Sequence, residues 1–179
     1  MNTSKRVLLL SGSLRAHSTN TASLRTAQVF APELVDAVFF EGVRALPHFD
    51  PDLDGEDLPA CAAELRAEVR RAHALLLSTP EYAGALPGSF KNVLDWLIGD
   101  DKPGSIYEKP VAWINASPRG AVHAHESLRL VLGYAHAHIV DTACVDVSVT
   151  HADVADDGLV TDPAARDRIT HAIAQLAAA

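Results

Sequence analysis

Cysteine is nearly absent from this sequence, which has two in 179 residues, Cys61 and Cys144. They lie far apart and neither is next to a histidine or to another cysteine, so the sequence predicts no disulfide framework and no zinc site. A phosphatase-type C-x-x-x-x-x-R loop is missing too, because Arg66 follows Cys61 one residue too early and Glu64 would repel a phosphate. We therefore expect neither cysteine to be catalytic.

Long apolar runs and an excess of positive charge are also missing. No run approaches the ~20 residues that a bilayer-spanning helix needs. The start, residues 1–6, leaves no room for the apolar part of a secretion signal before the first predicted strand. The net charge is −8 and the acidic residues are spread out, which disfavours a nucleic-acid surface. We expect a cytoplasmic protein with no membrane and no nucleic-acid partner.

Glycine is scarce where phosphate-binding loops usually need it. The apolar run Val7–Leu10 is followed by a polar segment in which Gly12 is the only glycine. The Walker pattern G-x-x-x-x-G-K-[ST] and the dinucleotide pattern G-x-G-x-x-G are therefore both absent.

Hydroxyls, one amide and one cation occupy that segment instead. They stand where a predicted strand gives way to a predicted helix, and they are Ser11, Ser13, Arg15, Ser18, Thr19 and Asn20. Free N–H groups and the positive dipole end of a helix attract anions there, and an arginine can fork onto two phosphate oxygens. The segment suits a monophosphate, although a Ser/Thr-capped turn without a ligand fits the same residues.

Apolar strands alternate with helices along the chain. The predicted strands are Val7–Leu10, Leu34–Phe40, Ala74–Thr79, Val111–Ala116 and Ile139–Val149. The predicted helices are Thr21–Phe30, Pro59–His73, Gly88–Ile98, Ala121–Ala137 and Asp162–Ala179. Strands without polar alternation indicate a parallel sheet covered on both faces. We predict one α/β domain over residues 1–179, with five parallel strands in the doubly wound order 2-1-3-4-5.

In that order the carboxyl ends of the first, third and fourth strands are neighbours. They carry three loops, which we call the first (residues 11–20), second (79–88) and third (117–120). In the second loop Pro80 stiffens the strand exit, Tyr82 offers an aromatic face, and Ala83-Gly84 has little bulk, so a planar ring can approach the backbone. A turn around a core tyrosine is the alternative. We predict one site built from all three loops.

Two metal-like patterns fail on closer inspection. Asp50–Gly55 imitates the opening of a calcium loop, but Cys61 stands where the bidentate glutamate belongs and Pro59 interrupts. The pairs His123/His125 and His136/His138 are spaced two apart, which splays the rings on a helix. We expect no metal.

Two motifs in the expected order resemble the NAD(P)H-dependent FMN reductase family, the flavodoxin-like group that includes quinone, azo-dye and chromate reductases. The first is Gly12-Ser13-Leu14-Arg15 with Ser18 and Asn20. The second is Pro80-Glu81-Tyr82, followed by Pro87-Gly88 and Lys91–Trp96. The resemblance runs from about Arg6 to at least Val147.

The resemblance implies a flavodoxin-like three-layer sandwich that binds FMN. It assigns the FMN phosphate to Ser13, Arg15, Ser18 and Asn20, with the Thr19 hydroxyl in the same loop. The isoalloxazine ring would contact Pro80, Glu81, Tyr82, Ala83 and Gly84, and its pyrimidine edge Ser117, Arg119 and Gly120. The chain has Ala83 where the family often has asparagine, and its third loop is poorer in glycine.

The activity implied by the resemblance is transfer of hydride from NADPH or NADH to the flavin and then to a small electron acceptor. The flavin carries that chemistry, so no catalytic acid or base is expected. The resemblance also suggests a homodimer or homotetramer, with the apolar helix around Trp96 contributing to the contact. The alternatives are an electron carrier that oxidises no nicotinamide, and a binding module that has lost its ligand.

Overall fold

A sheet of apolar strands forms the centre of the molecule, seen in a computed structural model that describes residues 4–179. The strands are β1 (Lys5–Ser11), β2 (Val35–Phe39), β3 (Ala74–Ser78), β4 (Pro110–Asn115), β5 (His138–Ile139) and β6 (Val145–Asp146). The helices are α1 (Thr19–Val29), α2 (Ala60–Arg71), α3 (Gly88–Ile98), α4 (Val122–Tyr134) and α5 (Pro163–Ala178). Within residues 4–179, no helix combines the length and the apolar character needed to cross a bilayer.

The sheet is parallel, with the strand order β2-β1-β3-β4-β5, and β6 also pairs with β4. This confirms the predicted doubly wound, flavodoxin-like order. In the centre of the sheet Leu9 of β1 lies beside Leu76 of β3, which in turn lies beside Ala112 of β4. All three are fully buried, as expected for strands covered on both faces.

Two hydrophobic cores enclose the sheet, because successive side chains of a strand point to opposite faces. Leu8 and Leu10 pack with residues of α2, α3 and α4, while Val7 and Leu9 pack with residues of α1 and α5. The helices therefore form the two outer layers of a three-layer sandwich.

The helix that contains Trp96 belongs to the first of these cores. The Trp96 side chain is fully buried, and its indole N–H donates to the Pro47 carbonyl at 2.9 Å. The Asn92 amide donates to the same carbonyl at 2.8 Å. Trp96 itself is therefore part of the core, and with Asn92 it anchors the segment that connects β2 to α2. That the helix around Trp96 contributes to a subunit contact stays a prediction.

The predicted fifth strand, Ile139–Val149, is interrupted in the structure. β5 and β6 both pair with β4, but a 3-10 turn at Asp141–Ala143 separates them. The stretch from Ile139 to Val145 is longer than the facing stretch from Val111 to Ile114, so the surplus residues bulge out. Beyond β6, the Val149 N–H still donates to the Ala116 carbonyl at 3.2 Å. The chain thus reaches the carboxyl edge of the sheet a fourth time, in what we call the fourth loop (residues 147–153).

Candidate functional site

A cleft of about 540 Å³ opens at the carboxyl edge of the sheet, and we call it the first cleft. Its volume is in the range of small-molecule sites. All three predicted loops contribute to it. Its walls are Ser13, Arg15, Ser18, Thr19, Asn20, Pro80, Glu81, Tyr82, Ser117, Pro118, Arg119, Ala121, Val149, Thr150 and His151.

Most of the residues predicted from the sequence are among these walls. The predicted cofactor-binding residues that do not line the cleft are Ala83, Gly84 and Gly120, and Ser11 of the hydroxyl-rich segment does not line it either. The first three have positive φ angles, of 51°, 71° and 88°, and they shape the turns that carry their neighbours. The walls that the prediction omitted are Pro118, Ala121, Val149, Thr150 and His151.

The first turn of α1 forms one end of the first cleft, which we call the α1 end. Ser18 caps this helix, because its Oγ accepts the Thr21 N–H at 3.4 Å and its carbonyl accepts the Ala22 N–H at 2.9 Å. The N–H groups of Thr19 and Asn20 have no acceptor within residues 4–179. Free N–H groups at the positive end of a helix are suited to an anion.

Gly12 brings the first loop against the end of β3. Its N–H donates to the Ser78 carbonyl at 2.8 Å. A Cβ atom at this position would lie 2.4 Å from Thr79 Oγ1 and 2.9 Å from the Phe90 ring, closer than packed atoms allow. The position therefore requires glycine for its close approach to β3. The Ser78 hydroxyl also donates to the side-chain oxygen of Asn20 at 3.0 Å, which ties the start of α1 to the same strand.

The charge at the α1 end is positive. Arg15 is exposed and lines the cleft, and it forms no ion pair in the described part of the chain. The other groups at this end are neutral hydroxyls of Ser13, Ser18 and Thr19. A guanidinium, several hydroxyls and two free N–H groups match the acceptor oxygens of a phosphate.

A tight turn in the second loop presents Tyr82 at the cleft. The N–H and carbonyl of Tyr82 bond to the carbonyl and N–H of Ala85, at 3.0 and 3.1 Å. The two central residues, Ala83 and Gly84, have positive φ, as in a type I′ turn. The Tyr82 side chain is 48% exposed, so the alternative of a core tyrosine is excluded.

Glu81 connects the second loop to the helix that follows the third loop. Its carboxylate accepts the Ala124 N–H at 3.1 Å, which caps the first turn of α4. Next to this cap, Ala121 has a left-handed conformation, with φ 45° and ψ 43°. The ring Nδ1 of His125 donates to the Ala121 carbonyl at 2.8 Å. We call this end of the first cleft the α4 end.

Asn115 organises the third loop from the last position of β4. Its amide nitrogen donates to the Gly120 carbonyl at 2.6 Å and to the Asp146 carboxylate at 2.8 Å. Its amide oxygen accepts the Ser117 N–H at 3.1 Å. One buried side chain thus holds the third loop, and bonds it to β6.

The fourth loop was missed by the sequence analysis, which placed Val149 in a continuous strand and left Thr150 and His151 without a role. Its shape depends on Asp153, whose carboxylate accepts the Thr150 hydroxyl at 2.6 Å and the Thr150 N–H at 2.8 Å. These two hydrogen bonds hold the pKa of Asp153 below its usual value, and the one from the Thr150 hydroxyl has the larger effect. The signal in the sequence was the spacing of Thr150 and Asp153, which is that of a capping box.

Comparison with known proteins extends over most of the chain. Residues 5–152 match the family model described as NADPH-dependent FMN reductase. An NAD(P)H-dependent FMN reductase of Pseudomonas aeruginosa is 30% identical over 167 residues, covering 92% of this chain and 89% of the relative. A quinone reductase of Escherichia coli is 31% identical over 146 residues, covering 79% and 76%.

A solved structure is similar over nearly the whole fold. It is a flavoenzyme NAD(P)H:(acceptor) oxidoreductase of Paracoccus denitrificans, with a TM-score of 0.83 and 26% sequence identity. The alignment covers 97% of this chain and 96% of that structure.

Proposed function

This chain belongs to the NADPH-dependent FMN reductase family, and we propose that its first cleft binds FMN with the phosphate at the α1 end and the ring at the α4 end. The observation that carries this assignment is the donor set at the α1 end, where Arg15 and two free N–H groups converge without a competing carboxylate. The aromatic face of Tyr82 and the backbone of the third loop supply the opposite end.

FMN held in this cleft would supply hydride transfer from NADPH or NADH to a small acceptor such as a quinone. The chain's own residues bind and orient. The α1 end neutralises the phosphate, which fixes the position of the ring relative to the sheet. At the α4 end, Glu81 is engaged with the Ala124 N–H, so it positions a helix and does not need to transfer a proton.

The alternative of an electron carrier is not favoured. The relatives that match most of this chain bear the names of NAD(P)H-dependent FMN reductase and quinone reductase. The exposed cleft mouth beside Tyr82 also leaves room for a nicotinamide or a quinone.

The decisive experiment is spectroscopic. The purified full-length chain is mixed with FMN, separated from free flavin and then titrated without oxygen, once with NADPH and once with NADH. We expect bound flavin whose visible absorption band is bleached by at least one nucleotide and restored by a quinone. Bound flavin that neither nucleotide bleaches would favour the electron carrier, and a chain that takes up no FMN would favour the binding module.

We further propose a cytoplasmic homodimer, or a tetramer built from it, that uses the exposed face of α4. Leu130 and Tyr134, one helical turn apart, are 76% and 75% exposed, and Val122 near the first cleft is 57% exposed. Large apolar side chains grouped on one helix face are typical of an interface. Sedimentation of the wild type and of a Leu130→Ser, Tyr134→Ser variant tests this, because we expect the variant to sediment as a smaller species. The same mass for both would contradict it.

A further inference from the structure

A larger cleft, of about 780 Å³, adjoins the first and has no place in the function proposed above; we call it the second cleft. It lies between α1 and the segment 154–159. Arg15, Ser18 and His151 line both clefts. The α1 end of the first cleft is therefore also the entrance to the second, and a ligand with more than one phosphate can extend from one to the other.

One wall of the second cleft is a small hairpin. Val154 and Val160 form an antiparallel bridge, and the Ala155 N–H donates to the Leu159 carbonyl at 2.9 Å. The apolar part of the lining comes from α1 on one side and from this hairpin on the other, through Ala22, Val29, Val154, Ala155 and Leu159. Two facing apolar walls are suited to a flat heterocycle.

Charged residues of both signs line the second cleft. Arg15 stands where the two clefts meet, whereas Asp156 and Asp157 line the second cleft alone. In the described chain, the Asp156 carboxylate has no hydrogen-bond or ion-pair partner. One oxygen of Asp157 accepts the Leu159 N–H at 3.0 Å, which shapes the hairpin tip. This arrangement fits a ligand whose phosphate lies beside Arg15 and whose sugar, with free hydroxyls, lies in the second cleft beside the carboxylates.

The other arginine in the lining is already engaged. Arg25 forms an ion pair with Glu41, donates to the Gln28 side chain at 3.0 Å, and lies over the Phe39 ring at 3.9 Å. Its guanidinium is therefore less available than that of Arg15 to a further phosphate on the sugar. An acidic residue at the ribose favours a free 2′-hydroxyl, whereas a 2′-phosphate calls for an available arginine.

We propose that the second cleft binds the adenosine 5′-phosphate part of a dinucleotide whose ribose carries a free 2′-hydroxyl. The phosphate lies beside Arg15, the adenine between the apolar walls, and the ribose hydroxyls donate to Asp156. The inference rests on the proposed function for the identity of the first cleft. Two dinucleotides that suit the function proposed above carry this group: FAD, continuing from the flavin phosphate, and NADH, as the hydride donor.

ADP-ribose is the direct probe, because it carries this group and no flavin or nicotinamide. It is titrated by calorimetry into the FMN-loaded full-length chain and into the chain as purified. Asp156→Ala is expected to weaken its binding about tenfold, the effect of losing a hydrogen bond to a charged group. The control is Asp167→Ala, which removes an exposed carboxylate of α5 and is expected to change nothing. ADP-ribose with a 2′-phosphate should bind about tenfold more weakly to the wild type.

Two further measurements show whether the second cleft binds the adenosine part of FAD or that of NADH. If the cleft serves FAD, the wild type retains FAD in preference to FMN from an equimolar mixture, and Asp156→Ala removes that preference. If it serves NADH, Asp156→Ala raises the KM for NADH about tenfold at unchanged kcat and unchanged flavin retention. Equal ADP-ribose affinity in the wild type and Asp156→Ala, or no binding, would overturn the proposal. Failure to take up FMN would instead overturn the function of the first cleft, since the ADP-ribose titration does not depend on flavin.

Discussion

At the α1 end of the first cleft the stabilising contacts mostly join residues close in the sequence, whereas at the α4 end two of them join loops that are far apart. Ser18 caps the helix that it precedes, and the Arg15 N–H donates to Ser13 Oγ at 3.3 Å. By contrast, Glu81 reaches across to Ala124, and Asn115 to Asp146.

This difference has a consequence for function. A helix terminus with its cap is a rigid anion site once the helix has formed, so the α1 end suits a permanently held group. The α4 end includes the left-handed residues Ala83 and Ala121, and its shape depends on contacts between separate loops. We infer that the α1 end determines cofactor affinity and that the α4 end determines which electron acceptor is used.

The largest effect that we expect is the loss of FMN affinity in an Arg15→Ala variant, which changes the α1 end. Loss of a hydrogen-bonded charge on the phosphate should weaken FMN binding about 10- to 100-fold, measured by quenching of flavin fluorescence. Arg168→Ala is the control, because it removes an equal charge from the exposed surface of α5. The free energy of unfolding of the flavin-free chain should stay the same in both variants. An unchanged FMN affinity for Arg15→Ala would remove the phosphate assignment.

The next largest effect is expected for Gly12→Ala, which tests whether the α1 end depends on its close approach to β3. Gly12→Ala would place a Cβ atom against Thr79 and Phe90, and such overpacking costs about 1–3 kcal/mol. We expect a lower urea midpoint together with weaker FMN binding. Gly88→Ala is the matched control, since a Cβ atom at Gly88 meets nothing within 4 Å. Equal midpoints for the two variants would contradict the packing seen here.

Most contacts of the α1 end could be predicted from the sequence because they are local, whereas those of Gly12 and Asn20 with Ser78 could not. Strand β1, the hydroxyl-rich segment and the start of α1 follow one another within residues 5–20, so their order alone places them together. The strand order of the sheet was also predictable, because buried parallel strands joined by helices allow few arrangements. The predicted α3 and the observed α3, Gly88–Ile98, have the same bounds.

The α4 end was less predictable because its geometry comes from contacts that sequence order does not reveal. The sequence predicted one continuous strand over Ile139–Val149, and only the pairing with β4 shows where the surplus residues bulge out. Trp96 and Tyr134 illustrate the same limit for apolar residues. Helical spacing identifies an apolar face, but whether that face meets the sheet or the surface depends on how the helices pack.

A smaller effect is expected where Glu81 links the second loop to α4. Glu81→Ala removes a helix cap and should cost about 1 kcal/mol in the free energy of unfolding. Quinone turnover should fall while FMN affinity stays the same, since the start of α4 shifts and the α1 end does not. Glu81→Gln keeps an oxygen that accepts the Ala124 N–H and should restore most of both losses. A loss of FMN affinity equal to that of Arg15→Ala would show that the two ends are not independent.

The smallest effect concerns the strained turn in the second loop. A left-handed conformation costs an L-residue about 1–2 kcal/mol, and asparagine tolerates it better than alanine. Ala83→Asn should therefore raise the free energy of unfolding by about 0.5 kcal/mol, measured by urea titration. Ala85→Asn is the control, because Ala85 lies in the same turn without a positive φ and should give no gain. If both variants stabilise the chain equally, the gain comes from the asparagine side chain, and the turn at the α4 end stores no backbone strain.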